Sequence, residues 1–172
     1  MTKFSKDEIR VMCVFPGLGS KTVIGNQETL GVRATILYTE FDSVLEMEKK
    51  EILNNLEFES YILNLIERGS HNLIIVPCGE RYRNILRKNK INYETVFPSL
   101  TCDRGVYIER LLLGCNKSGS YISRILDEWN PIVMSLHTDY YAVKKTVIDF
   151  EGLFYLSDLW KSDKKDPLLS NI

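Results

Sequence analysis

A chain of 172 residues, 44% hydrophobic and 26% charged, fits one domain and is long enough to bury roughly 70% of the surface its unfolded form exposes. Its 23 acidic and 22 basic side chains nearly cancel, which leaves no strong field for holding nucleic acid by phosphate neutralisation, so nucleic-acid binding is not expected. No apolar run approaches the roughly 20 residues of a membrane span, and the charged opening MTKFSKDEIR does not read as a signal peptide; a cytoplasmic protein without membrane association is expected.

Ile9 to Phe15 (IRVMCVF) is a nearly continuous apolar run rich in β-formers and closed by Pro16 and Gly17, the pattern of a strand buried on both faces. SKTVIGNQETLG then reads as a helix stopped at Gly31, and Val32 to Tyr38 as a second strand. A long helical segment follows from Leu45 to Arg68, with Ile52, Leu53, Leu56, Ile62, Leu65 and Ile66 near helical spacing and Gly69 as its stop. Asn72 to Pro77 predicts a third buried strand, GERYRNILRKNK a basic amphipathic helix, and Asn92 to Pro98 a fourth strand. Beyond Pro98, DRGVYIERLLLG and SGSYISRILDEWNPIVMSL predict two helices separated by the polar NKSGS. Lys144 to Phe150 predicts a fifth strand, GLFYLSDLW a short closing helix, and residues 161–172 a frayed tail. Strands alternating with helices imply β-α-β units with right-handed crossovers. The expectation is an α/β three-layer sandwich around a mostly parallel five-stranded sheet, as one domain over residues 1–160.

Cys13, Cys78, Cys102 and Cys115 form no C-x-x-C pair and, with His71 and His137, no ligand cluster, so four reduced, buried thiols are expected rather than a metal site or disulfide framework. His137 and Asp139 read as loop residues rather than an acid-base pair, because no nucleophile accompanies them. Trp129, Tyr121, Phe154, Tyr155 and Trp160 read as core.

The stretch VFPGLGSKT approaches the phosphate-binding pattern G-x-x-x-x-G-K-[ST] but puts Ser20 between Gly19 and Lys21. It follows the first strand and opens the first helix, the context in which backbone amides cradle phosphate oxygens. In that role Gly17, Gly19 and Ser20 line the loop, Lys21 reaches the terminal phosphates and Thr22 holds Mg²⁺. Two registers are open. If Lys21 and Thr22 keep their places, Ser20 and Phe15 occupy the glycine positions. If Gly17 and Gly19 keep theirs, Ser20 is an insertion that turns Lys21 about 100° round the helix. The plain alternative is a glycine-rich turn with Ser20 as N-cap.

VFPGLGSKT, NLIIVPCGERYRNIL, INYETVFPSL, VYIERLLLGCNKSGSYISRILDEW and YLSDLW, taken in order from about Ile9 to Trp160, resemble the phage-type P-loop nucleotide kinases, described as adenylate-kinase-like or deoxynucleoside monophosphate kinase-like. That resemblance implies a Mg²⁺-dependent, ATP-binding transferase that phosphorylates a (deoxy)nucleoside monophosphate, working in the host cytoplasm if the protein is viral. It implies phosphate and metal roles for Lys21 and Thr22, a catalytic and substrate-binding role for Arg83, and a clamp on the transferring phosphate for Arg110 within a helical lid at about 103–137. Glu40 and Asp42, after the second strand, are implied substrate and metal residues. Cations around the spreading charge are what phosphoryl transfer requires. The chain departs from the pattern in its loop, in the absence of an Asp directly after the third strand, where Glu80 is the nearest carboxylate, and in a lid left with Lys117 as its main cation. Those departures keep a second expectation alive: a pseudokinase that binds a nucleotide or a protein partner, or pairs as a homodimer. A mechanical triphosphate hydrolase is disfavoured by small size and by the missing acid.

Overall fold

The first apolar run forms strand β1 (Arg10–Val14), and it lies at the middle of a five-stranded sheet ordered β2-β3-β1-β4-β5. The computed structural model of the protein describes residues 3–37, 55–113, 119–149 and 156–165. β2 is Ala34–Ile36, β3 Leu73–Pro77, β4 Glu94–Pro98 and β5 Lys144–Ile148. Every neighbouring pair is parallel, with Arg10 opposite Leu73, Met12 opposite Glu94, Ala34 opposite Leu73 and Glu94 opposite Lys144. β3 and β4 are buried along their whole length and β1 from Val11 onward, which is why those strands are apolar runs rather than alternating ones.

From β1 the chain crosses to β2 through two short helices, α1 (Ser20–Gly25) and α2 (Gln27–Leu30). Helices α3 (Asn55–Arg68) and α4 (Glu80–Lys88) flank β3, and α5 (Arg104–Leu113), α6 (Gly119–Asp127) and α7 (Trp129–His137) lie between β4 and β5, with α8 (Leu156–Lys165) last. The crossover from β1 runs to one side of the sheet, and those from β3 and β4 to the other. Right-handed connections therefore put α1 and α2 on one face and α4 on the opposite one. The packing agrees: α1 and α2 contact α8, while α3 contacts α4. β1 and β4 are neighbours whose onward connections diverge, and a crevice opens outside the carboxyl ends of such strands.

Three local departures from the predicted elements have physical reasons. The helix read over SKTVIGNQETLG breaks at Asn26, whose side-chain Nδ2 donates to the Thr22 carbonyl at 2.8 Å; that competes with the helix, and Gly25 before it is a weak helix former. Gly31 does end α2, at φ 66°. The segment from Gly119 to His137 divides at Glu128 (φ −99°, ψ 5°), so Pro131 falls in the first turn of α7, where its missing N–H removes no helical bond. α8 runs on to Lys165, into the stretch read as a tail, because Asp163 meets Arg10 at 2.8 Å and Lys144 at 3.2 Å. Trp129 and Trp160 are core, as read; Phe154, Tyr155 and the Tyr121 side chain lie outside what the structure describes. Among the described residues no helix is long and apolar enough to cross a membrane.

Candidate functional site

The loop after β1 lies at the divergence of the β1 and β4 connections. Phe15 still belongs to the sheet, its amide donating to the Val96 carbonyl at 2.9 Å, so the turn proper is Pro16 to Gly19. Gly17 (φ 82°) and Gly19 (φ 90°) hold the left-handed conformations, and Gly19 is the N-cap of α1. Ser20 is the first helical residue, not the cap. Among the described residues Lys90 alone combines a side chain with positive φ, so Ser20 occupies backbone that any L-residue accepts. The amides of Gly17, Gly19, Ser20 and Thr22 donate to no acceptor among the described residues, while Pro16 and Gly17 form a turn between Phe15 and Leu18. Lys21 and Thr22 are exposed on the first turn of α1.

The other side of the loop is tightly packed. Phe15, Tyr107 and Trp129 meet edge to face, with centroids 5.0 Å apart for Phe15–Trp129 and Tyr107–Trp129. The Tyr107 hydroxyl donates to the Pro16 carbonyl at 2.7 Å, and the Leu156 amide donates to the Leu18 carbonyl at 2.9 Å. A Cβ on Gly17 would stand 2.7 Å from Leu111 Cδ2 and 3.1 Å from the Tyr107 ring. Arg104 stacks 5.1 Å over Trp129 and donates to Asn130 Oδ1. Arg110 is half-buried on α5, three residues after Tyr107, with its guanidinium nitrogens shielded from solvent.

Arg83 is placed differently from the expectation of a cleft-facing cation. It is 2% exposed. Its Nε donates to the Cys78 carbonyl at 2.9 Å, Nη1 to Asp139 Oδ2 at 2.7 Å, and Nη2 to the Ser135 hydroxyl. Asp139 is the hub that sequence reading passed over as a loop residue: it also accepts from the Tyr93 hydroxyl at 2.7 Å, Arg87 at 3.3 Å and the Tyr141 amide at 2.9 Å. Burial works to raise the Asp139 pKa, but the bonds from Arg83, Tyr93 and the Tyr141 amide outweigh it and hold the carboxyl below its ordinary value. Burial, with the Asp139 bond, pushes the Tyr93 phenol up. The available signal was the i, i+4 spacing of Arg83 and Arg87, which puts two cations on one helical face where a single carboxylate can serve both.

His137 packs its ring edge-on to Phe97 at 4.8 Å and is no partner of Asp139 in acid-base work. Cys13 and Cys78 are buried and Cys102 is half-buried, and none of the three is in a disulfide among the described residues. Burial pushes the Cys13 thiol well up, which makes it a packed side chain rather than a nucleophile. Among the described residues no group of three His, Cys, Asp or Glu side chains could hold a metal ion. Glu80 is exposed at the start of α4. Glu40, Asp42, Cys115 and Lys117 lie outside the described residues. Compared with models of protein families and with curated proteins, the chain matches none.

Proposed function

We propose that the protein is a P-loop nucleotide kinase-like phosphotransferase, which holds the phosphates of ATP on the Pro16–Thr22 loop and passes the terminal phosphate to a (deoxy)nucleoside monophosphate. The observation that carries this reading is that the amides of Gly17, Gly19 and Ser20 have no acceptor among the described residues, on a turn shaped by two left-handed glycines. Buried or ligand-facing amides seek partners, and phosphate oxygens are the partners such a turn suits. Its position where the β1 and β4 connections diverge adds to this, since ligands of open α/β sheets bind there.

With Gly17 and Gly19 in the special conformations, Ser20 is the extra residue of the pattern. Lys21 then stands one step round α1, with a long, exposed side chain of the length needed to reach a phosphate chain lying on the turn. Mg²⁺ takes one or two protein oxygens and completes its shell with phosphate oxygens and water. The exposed Thr22 hydroxyl fits that demand, with Asp42 or Glu40 as the carboxylate that orients metal or acceptor. When bound, the metal would offset charge on the phosphates. Arg110 is the cation assigned to the transferring group.

A second reading has its own observation. Arg83 is fully engaged with Cys78, Ser135 and Asp139, so the transferring charge has one cation fewer than the resemblance implies; a pseudokinase that binds nucleotide without turnover would tolerate that loss. Transfer from labelled ATP to a panel of nucleoside monophosphates separates the two. Turnover abolished by Lys21→Ala supports the kinase, binding without turnover supports the pseudokinase, and absence of nucleotide affinity overturns both.

A further inference from the structure

We infer that Tyr107 and Leu111 of α5 are positioning residues for the loop, fixing it in its anion-binding form before a ligand arrives. The inference rests on the phosphate-binding reading above and adds what holds the site in shape. The Tyr107 hydroxyl, in a fully buried side chain, donates to the Pro16 carbonyl at 2.7 Å. The described chain has no cis peptide bond. In a trans peptide the carbonyl and the following N–H point in opposite directions. Tying the Pro16 oxygen to α5 therefore turns the Gly17 N–H away from α5, on the side that the helix leaves open.

The second constraint is steric. Leu111 Cδ2 and the Tyr107 ring fill the space where a side chain at position 17 would stand, at 2.7 and 3.1 Å from the ideal Cβ. At φ 82° and with that space filled, Gly17 packs its backbone directly against α5, where no side chain would fit. Tyr107 is held in turn by Phe15 and Trp129, so the clamp stands on the core rather than on a mobile side chain. A turn ordered in advance gives up less entropy when it binds, which appears as affinity. The same contacts join the loop mechanically to α5, the helix that carries Arg110.

The test is calorimetric titration of wild type and Tyr107→Phe with pyrophosphate, ADP and adenosine. The variant keeps the ring and its packing but loses the hydroxyl. The expected result is a loss of about three- to tenfold in affinity for pyrophosphate and ADP, the range of one hydrogen bond, with adenosine affinity unchanged. A merely structural role would lower Tm and leave the pyrophosphate constant of the folded variant where it was. Equal pyrophosphate binding in variant and wild type, or an equal loss for adenosine, overturns the inference while leaving the phosphate-binding reading intact. Failure of the wild type to bind pyrophosphate or ADP overturns that reading and the inference with it. Should Tyr107→Phe not fold, hydrogen exchange on the wild type decides: pyrophosphate must slow exchange across 104–113 as well as 16–20, and protection confined to the loop overturns the inference.

Discussion

Arg83 and Asp139 meet in the core through a 2.7 Å bond between Nη1 and Oδ2, with the two side chains 3% and 0% exposed. The pair ties the turn after β3, through the Cys78 carbonyl, to the segment between α7 and β5. Removing one partner leaves the other charge buried and uncompensated, the situation in which a buried pair matters most. Asp139→Asn and Arg83→Met are each expected to lower stability by about 3–5 kcal/mol, read by urea denaturation. A loss below about 1 kcal/mol, the range of exposed pairs, would contradict the buried network.

The same carboxylate gives the stability an acid limb. The folded Asp139 pKa lies below its ordinary value of about 3.9, so the unfolded chain takes up this proton first as pH falls. The stabilisation is complete above about pH 4 and is lost as pH falls through the lower folded value. Wild type and Asp139→Asn are therefore expected to differ most near neutral pH and to converge below about pH 4; a gap constant down to the acid limit would contradict this.

Gly17 and Gly25, eight positions apart, make opposite predictions. At Gly17 an added methyl meets Leu111 and Tyr107 and must also adopt φ 82°. Gly17→Ala is expected to cost about 2–4 kcal/mol from strain and overpacking together. A Cβ on Gly25 meets nothing within 4 Å, and Gly25→Ala is expected to stabilise by about 0.5–1 kcal/mol through helix propensity. Denaturation midpoints measured side by side check both signs.

Ser20 follows the left-handed turn instead of forming it, since Gly19 is the cap. Ser20→Gly, which restores a glycine before Lys21, is expected to change ADP affinity by less than about twofold, because the serine is under no backbone strain for a glycine to relieve. A gain of tenfold or more in calorimetry would show that the serine obstructs the loop.

The central strands were legible because β1, β3 and β4 are buried on both faces and so spell themselves as apolar runs. The helix breaks were less so: Asn26 ends α1 with a local side-chain bond to Thr22, and Glu128 divides α6 from α7 by a change of backbone angle, neither of which apolar periodicity registers. The loop was visible as a motif, but not the residues that shape it, since Tyr107 reaches Pro16 across 91 positions of sequence. The burial of Arg83 was hidden in the same way, because the carboxylate it meets stands 56 positions further on.

The central claim is that the Gly17–Thr22 turn holds nucleotide phosphates with help from Lys21. Calorimetric titration of wild type and Lys21→Ala with ATP in the presence of Mg²⁺ tests it most directly. The account predicts saturable binding by the wild type and a loss of about tenfold or more in the variant, the scale of a charge-assisted contact. Binding that Lys21→Ala leaves unchanged, or no binding by the wild type, would contradict it.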